Sequence, residues 1–268
     1  MPRHLHHAGP ERGTQQVCFS NWPGDRESGS IAGMQSGYNQ FCPIAKASEV
    51  LTTRWTPLIL RELMDDSHSF NDIHRGVPLI SRAVLVARLR ELEHHGIIER
   101  RRRKGGSGHE YWLTPDGNAF RAALTELGHW GLVHGRSRVK PNDLDPTVLL
   151  WGFRKRAILD ALPDRRVVVR FEFSGVPKNR TKFRILWLVL ERSGVDVCAK
   201  DPGFATDLVL RGNIADFVRV YLGHARWRDV AGKALTVEGD RKLATEVPGW
   251  IRLDQVVGRD FPVVPHAA

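Results

Sequence analysis

The stretch from Ser81 to Leu113 restricts the fold of this chain more than any other part of the sequence. It begins as a helix, because Ser81 can accept a hydrogen bond from an amide of the first turn and Gly96 suits the left-handed backbone just past the last turn. One side of this helix carries an apolar stripe at helical spacing, formed by Val84, Leu85, Leu89 and Leu92. The pattern predicts an amphipathic helix that buries this side.

The opposite side of the same helix combines arginines with small or modest side chains. Such a surface can lie close to base edges while guanidinium groups reach guanine or phosphate. A solvent-exposed helix face would show a similar composition, so this helix by itself does not decide between the two interpretations. We predict that the side chains facing bases are Arg82, Ala83, Val86 and Arg90.

A basic hairpin follows the helix. Ile97 and Ile98 start a strand, five consecutive basic residues run from Arg100 to Lys104, and a glycine-rich turn precedes a second short strand that ends at Leu113. Positive charge at a hairpin tip suits phosphate, where each contact releases condensed counterions. Two short helices precede the central one, which completes the order of a winged helix-turn-helix. The predicted DNA contacts are Arg54, Ser69, Ser81, Arg82, Ala83, Val86, Arg90, Arg100, Arg101, Arg102, Arg103 and Lys104.

A long ordered string of residues in this region resembles the HxlR-type winged-helix transcriptional regulators of bacteria. The resemblance covers about residues 38–135. It is carried by Cys42-Pro43, Arg54-Trp55-Thr56, Leu60-Arg61-Glu62-Leu63, Phe70, Asp72-Ile73, Ile80-Ser81, Val84-Leu85, Arg88-Leu89-Arg90-Glu91-Leu92, Gly96-Ile97-Ile98, Glu110-Tyr111, Leu113-Thr114-Pro115 and Gly117. The chain departs from it at Val86 and Ala87, where relatives often carry a polar residue, so the preferred base sequence stays open.

The resemblance implies a homodimer that binds double-stranded DNA and in which helices outside the motif form the dimer contact. The sequence agrees, because the segment from Ala119 to Val133 has an apolar stripe too long for a single winged-helix domain to cover. We call the helix that begins after Ser81 the groove helix. Two copies of the chain place their groove helices about one DNA turn apart, which predicts an inverted-repeat operator.

The composition divides the chain into three parts. Residues 1–37 have almost no periodic apolar positions and are expected to form a disordered tail. Residues 38–136 are the winged-helix and dimerisation domain, and a polar break with prolines separates them from residues 145–260. The latter read as an α+β domain, in which a helix from Thr147 to Leu162 precedes a mainly antiparallel sheet. The predicted fold class of the whole chain is therefore α+β.

The C-terminal part is similar to the sterol-carrier-protein-2-like domains over about residues 195–247. The motifs are 207–212, 214–217 and 235–240, which are shorter and less specific than those of the first domain. The resemblance implies a shell of sheet and helices around an apolar cavity, and hence an apolar small-molecule effector. Aromatic residues at such spacing also build ordinary cores. The candidate lining is Phe171, Phe173, Phe183, Trp187, Phe217, Tyr221 and Trp227.

Net charge and cysteine content restrict which partners and which cellular compartment we expect. A net charge of +10 favours nucleic acid as the macromolecular partner. No apolar run has the length of a membrane span and the N-terminus lacks a secretory pattern, so we expect a cytoplasmic protein without a membrane partner. Three cysteines form neither a disulfide framework nor a zinc motif. Cys42 precedes a helix and is a candidate redox residue, or else a small apolar residue at a dimer interface.

Enzymatic motifs are absent from the sequence. It contains no phosphate-binding glycine loop, no nucleophile elbow and no paired histidine ligands, so we expect neither catalysis nor a cofactor nor a metal. The first interpretation is a dimeric DNA-binding regulator controlled by an apolar molecule. Two alternatives stay open, namely an apolar-ligand carrier tethered to nucleic acid and a regulator that senses oxidants or electrophiles through Cys42.

Overall fold

The computed structural model describes residues 37–103, 106–135 and 139–252. Two separate hydrophobic cores organise them, one before residue 136 and one after residue 139. Apart from Gly37, the predicted tail lies outside the described residues, as do Lys104 and residues 253–260 of the predicted C-terminal domain. None of the described helices has the length and apolarity that crossing a membrane requires.

The N-terminal unit has the predicted order of elements. Its helices precede and follow one antiparallel hairpin, in which Ile98 pairs with Leu113 and Arg102 with His109. The elements are α1 (Pro43–Leu51), α2 (Thr56–Met64), α3 (Phe70–Gly76), α4 (Arg82–His94), β1 (Ile98–Arg102), β2 (His109–Leu113) and α5 (Pro115–His134).

Local signals set the ends of α3 and α4. The Ser69 hydroxyl accepts a hydrogen bond from the Asp72 amide at 3.1 Å, and the Ser81 hydroxyl accepts one from the Val84 amide at 3.2 Å. Gly96 follows α4 with φ of 68°, a conformation that is strained for any residue with a Cβ atom. The predicted caps of the groove helix are therefore present.

The buried stripe of α4 is narrower than the sequence predicts. Leu85, Leu89 and Leu92 are at most 2% exposed and pack into the N-terminal core, whereas Val84 is 38% exposed. The prediction that Val84 is buried was wrong, because one residue along a helix is a rotation of about 100° and Val84 falls beyond the edge of the core.

The C-terminal unit is a five-stranded sheet with helices. The strand order is β5-β4-β3-β6-β7, and every neighbouring pair is antiparallel except β3 with β6. The predicted α+β class with a mainly antiparallel sheet is confirmed. The elements are α6 (Pro146–Arg156), β3 (Val167–Ser174), β4 (Ile185–Glu191), β5 (Gly194–Cys198), β6 (Leu208–Asn213), α7 (Ile214–Tyr221), α8 (Trp227–Val230), β7 (Leu235–Gly239) and α9 (Arg241–Trp250).

The first helix of this unit is shorter than predicted. Asp145 caps α6 by accepting a hydrogen bond from the Thr147 amide at 2.9 Å, but the helix ends at Arg156 and not at Leu162. The backbone of Ala157 is extended, and the next amide, that of Ile158, donates to the Trp250 carbonyl at 2.7 Å. The end of α9 thus offers the backbone a partner that competes with another turn of helix.

Alternation along β3 gives the sheet two different faces. Phe171 and Phe173 join the core beneath the helices, while Arg170 and Glu172 point to the other face. Helix α6 packs against β4 and β5 of its own unit and also against α3 of the N-terminal unit. The two units are therefore joined through the contact between α3 and α6.

Candidate nucleic-acid interface

The outer side of α4 is open to solvent. Arg82, Ala83 and Arg90 are exposed and Val86 is half-buried, whereas the leucine stripe behind them is buried. Residues 139–252, the described part of the C-terminal unit, leave this side exposed. A helix held by its inner side, with one exposed arginine at its start and another about two turns later, has the shape needed to enter a DNA major groove.

The two arginines of this helix have different surroundings. The Arg82 Nη1 atom donates to the side-chain oxygen Oδ1 of Asn71 at 3.4 Å, and the guanidinium lies 5.6 Å from the centre of the Phe70 ring. Arg82 is thus directed by α3. Within the described part of the chain, Arg90 has no hydrogen bond or ion pair, so its side chain is available to a ligand.

Three of the five basic residues of the hairpin lie within a strand and not at its tip. Arg100, Arg101 and Arg102 belong to β1, and only Arg103 and Lys104 follow it, with Lys104 outside the described residues. Because side chains alternate along a strand, Arg100 and Arg102 project from one face of the ribbon and Arg101 from the other. The prediction of a basic tip is corrected to a ribbon with arginines on both faces.

Most of these arginines have acidic or aromatic partners. Arg100 lies 3.6 Å from Glu93, Arg103 lies 3.8 Å from Glu110, and Arg101 pairs with Glu99 and lies 5.1 Å from the Trp112 ring centre. For Arg102, no ion pair exists among the residues described here. The positive charge of the ribbon is therefore compensated unevenly.

Arg54 and Ser69 lie before α2 and α3. The exposed guanidinium of Arg54 lies 4.9 Å from the centre of the Trp55 ring. Besides accepting the Asp72 amide, the Ser69 hydroxyl donates to a carboxylate oxygen of Asp72 at 2.7 Å. Its hydrogen is therefore already engaged in the helix cap, which leaves only acceptor capacity on that oxygen.

The sequence reasoning missed the contact that attaches the ribbon to α3. The rings of His68 and Trp112 stack with centres 3.5 Å apart, and the Tyr111 amide donates to the His68 carbonyl at 2.9 Å. Ser69 and Glu110 form an additional β-bridge. These residues are more than forty positions apart, and no local motif marks them as a pair.

The candidate pocket residues are split by the sheet. The rings of Phe171, Phe173 and Phe217 pack together in the core, with centres 5.2 to 5.9 Å apart. Trp227 is buried in the same core, and Phe183 and Tyr221 pack at its edge. Trp187 pairs with Arg170 across the strands and lies 5.7 Å from its guanidinium, on the opposite face. The structure therefore does not bring all seven residues to one cavity.

A groove of about 230 Å³ lies elsewhere, beside the C-terminal half of α5. Gly128, Gly131 and Leu132 line one side, and Leu222 and His224 after α7 line the other. The face of α5 is open in this region, since Leu127, Trp130 and Val133 are each about half exposed. Helix α5 thus presents an exposed apolar surface along these residues.

Cys42 directly precedes α1 and is half-buried. It lies between two strongly exposed apolar residues, Phe41 and Ile44. The other described cysteine, Cys198, is in β5, where burial raises the pKa of its thiol. No group of His, Cys, Asp or Glu in the described ranges is arranged to hold a metal ion.

Comparison with known proteins places the N-terminal unit among helix-turn-helix proteins. A family model described as HxlR-like helix-turn-helix matches residues 50–138. The uncharacterized HTH-type transcriptional regulator YvaP of Bacillus subtilis is 35% identical over 94 residues, which are 34% of this chain and 87% of YvaP. The HTH-type transcriptional regulator YodB of the same organism is 36% identical over 94 residues, which are 34% of this chain and 84% of YodB.

Among solved structures, the crystal structure of diamide-treated YodB matches with 34% identity and a TM-score of 0.30, covering 34% of this chain and 93% of that chain. The family match ends at residue 138. The C-terminal unit lies beyond it.

Proposed function

The chain belongs to the HxlR-like helix-turn-helix family, and from this we propose that it is a sequence-specific DNA-binding transcriptional regulator. The observation that carries the proposal is the open outer side of α4, with Arg82 and Arg90 exposed on a helix whose inner side is buried. The relatives YvaP and YodB are themselves named as HTH-type transcriptional regulators.

In the proposed complex, α4 lies in the major groove. Arg82, Ala83, Val86 and Arg90 face base edges, and the capped start of the helix at Ser81 lies near a phosphate. The ribbon arginines, together with Lys104, contact backbone or minor groove, and Arg54 contacts phosphates that fix the orientation of the domain. Ser69 contacts a phosphate in this proposal by exchanging its hydrogen bond to Asp72 for one to the phosphate oxygen. Base contacts then set the sequence preference, whereas phosphate contacts set affinity and its dependence on salt.

The proposed assembly is a homodimer. Its support is the exposed apolar side of α5, where Leu127, Trp130 and Val133 would be covered by a second copy. The exposed Phe41 before α1 and Ile44 in its first turn add to this surface. A two-fold dimer presents two copies of α4 to the same face of a duplex. The operator is then an inverted repeat with half-sites about 34 Å apart.

The proposed role of residues 145–260 is to respond to an apolar small molecule. The resemblance to sterol-carrier-protein-2-like domains motivates this part, and the aromatic cluster of Phe171, Phe173 and Phe217 is its physical support. Because these rings fill the space between the sheet and its helices, an apolar ligand would have to displace or separate them. Binding would then change the packing of α6 and α7 on the sheet.

Selection of genomic DNA fragments by the purified protein, followed by sequencing, tests the proposal. We expect the retained fragments to share an inverted repeat, and a labelled duplex with that repeat to bind more tightly than a scrambled duplex at equal salt. A matched protein with Arg82 and Arg90 both changed to Ala controls for binding through general charge. Equal retention of all fragments by both proteins contradicts the proposal.

A further inference from the structure

A buried carboxylate joins the two units of the chain. Glu62 of α2 is 1% exposed, and both of its oxygens are hydrogen-bonded. One oxygen accepts from the Arg61 guanidinium at 2.8 Å, within the N-terminal unit. The other accepts from the Trp151 indole at 3.1 Å and from the Lys155 ammonium at 2.5 Å, and both of these donors belong to α6 of the C-terminal unit.

The two donors from α6 lie on the side of the helix that faces Glu62. Trp151 and Lys155 are four residues apart and therefore lie on the same side of the helix. Trp151 is 5% exposed, and only 11% of the Lys155 side chain is exposed. The side of α6 that faces the N-terminal unit thus directs an indole donor and a charge at a single carboxylate oxygen.

The end of α3 lies against the same carboxylate. A Cβ atom at Gly76 would fall 1.9 Å from the Glu62 oxygen that binds α6, so only glycine permits this approach. The Arg61 guanidinium also donates to the Gly76 carbonyl at 3.0 Å, and the Arg75 guanidinium lies 5.7 Å from the centre of the Trp151 ring. We call the set of Glu62, Gly76, Trp151 and Lys155 the Glu62 junction.

The junction is connected to the groove helix through α3. The His74 Nε2 atom is 3.1 Å from the Ile80 carbonyl oxygen, which directly precedes the cap Ser81 of α4. A buried charge that loses a partner is costly, so the carboxylate favours one arrangement of α2, α3 and α6 over displaced ones. These contacts connect α6 to the start of α4 through Glu62 and α3.

We propose that the Glu62 junction positions the DNA-reading helices on the C-terminal unit and transmits changes in that unit to α4. The inference rests on the proposed function, since it assigns positioning residues for DNA binding. Trp151 and Lys155 contact Glu62 and would not contact DNA. Breaking the junction should therefore weaken recognition without removing a phosphate contact.

Two matched pairs of variants of the full chain test this. Trp151→Phe removes the indole donor and keeps an aromatic ring, and its control is Trp187→Phe, a similarly buried tryptophan on the outer face of the sheet. Lys155→Met removes the charge on the junction, and its control is Lys178→Met, an exposed lysine of the same unit. For each protein we would measure the affinity for the selected duplex at several salt concentrations, and hydrogen exchange of the amides in α3 and in β3.

We expect Trp151→Phe and Lys155→Met each to weaken binding at least fivefold with an unchanged salt slope. Amides of α3 should exchange faster while those of β3 keep their protection, and both controls should stay within twofold of the unmodified protein. Affinity within twofold together with unchanged exchange in α3 overturns the inference. If one variant also loses protection in β3, its fold is disturbed beyond the junction, and the other variant with its control then decides the inference. If the unmodified protein prefers no DNA sequence, the proposed function fails, and exchange in α3 still decides whether the junction positions that helix.

Discussion

The arginines of the candidate interface differ in how far their neighbours compensate their charge. Arg100, Arg101 and Arg103 have acidic partners, whereas Arg90 and Arg102 have none among the described residues. Exposed ion pairs contribute about 0 to 1 kcal/mol, so the paired arginines can exchange a carboxylate for a phosphate at low cost. Arg90 and Arg102 can bind without giving up a partner, which makes them the clearest positions for separating base contacts from phosphate contacts.

Arg90→Ala and Arg102→Ala should have different consequences. If Arg90 reads a base, its loss costs about 1 to 3 kcal/mol of binding and reduces the preference for the cognate base. Loss of Arg102 should weaken all sequences alike and reduce the salt slope by about 1. Band-shift titrations with cognate and scrambled duplexes at several salt concentrations measure both effects. Identical behaviour of the two variants contradicts this division of roles.

Gly76 is expected to tolerate no side chain. In Gly76→Ala the new methyl group would overlap the Glu62 carboxylate, so either α3 or the carboxylate must move, at a cost of about 1 to 3 kcal/mol of unfolding free energy. Gly128→Ala is the control, because nothing lies within 4 Å of a Cβ atom there and alanine favours a helix by up to about 1 kcal/mol. Urea denaturation of both variants makes the comparison. Equal stability of the two variants would show that the Glu62 carboxylate can move away from a methyl group at position 76 without a cost in unfolding free energy.

At the scale of elements, the parallel contact between β3 and β6 brings charged side chains into a row on the outer face of the sheet. Arg211 of β6 donates to Glu172 of β3 at 2.6 Å and to Glu238 of β7 at 2.7 Å. The hydrogen bond from Arg211 is the main reason that the pKa of Glu172 lies below its ordinary value, and Arg170 adds to the effect. Three strands that are distant in sequence are thus tied together on the side opposite the helices.

Arg211→Met should raise the pKa of Glu172, although the charge of Arg170 keeps it from rising fully. Because the folded pKa is lowered, the ionised carboxylate stabilises the fold above the unfolded pKa, and this contribution is lost as pH falls through the folded pKa. The variant should therefore lose less stability than the unmodified protein on acidification through this range. Carboxyl NMR titration gives the pKa, and Arg219→Met in α7 is the control. An unchanged Glu172 titration in Arg211→Met would falsify the assigned cause.

At the scale of the whole molecule, the excess of positive charge does not lie where the groove helix is. Residues 37–135 contain 13 Lys and Arg against 11 Asp and Glu, whereas residues 139–252 contain 21 against 14. The N-terminal unit is therefore nearly balanced, and its affinity for DNA must come from the placement of a few arginines and from having two copies. Dimerisation through α5 would bring those copies to one duplex.

Leu127→Glu should therefore separate the dimer. A charge in the centre of the apolar side of α5 would have to be buried at the contact, which disfavours association. Sedimentation velocity should show a monomer, and the affinity for the inverted repeat should fall because each copy then binds a half-site alone. Leu159→Glu, at an exposed apolar position of the C-terminal unit, should remain dimeric. A dimeric Leu127→Glu protein would exclude this side of α5 as the interface.

Much of the N-terminal unit could be predicted because its signals are local. The cap at Ser81, Gly96 after α4 and the leucine stripe each depend on neighbours within a few residues. The same holds for the strands of the second unit, whose β-branched and aromatic runs end at turn residues. Errors arose where distant parts compete for the same atoms, as when the end of α9 takes the Ile158 amide and α6 stops early.

The sequence by itself determined the family, the order of the winged helix-turn-helix and the α+β class, because helical spacing, caps and turns are properties of short segments. Only the tertiary structure decided that Trp187 faces away from the aromatic core, that strand pairing extends as far as Arg102, and that Glu62 joins the two units. These facts depend on strand register and on a contact between residues 89 positions apart. Neither is encoded in any local pattern, since both arise from how completed elements pack against each other.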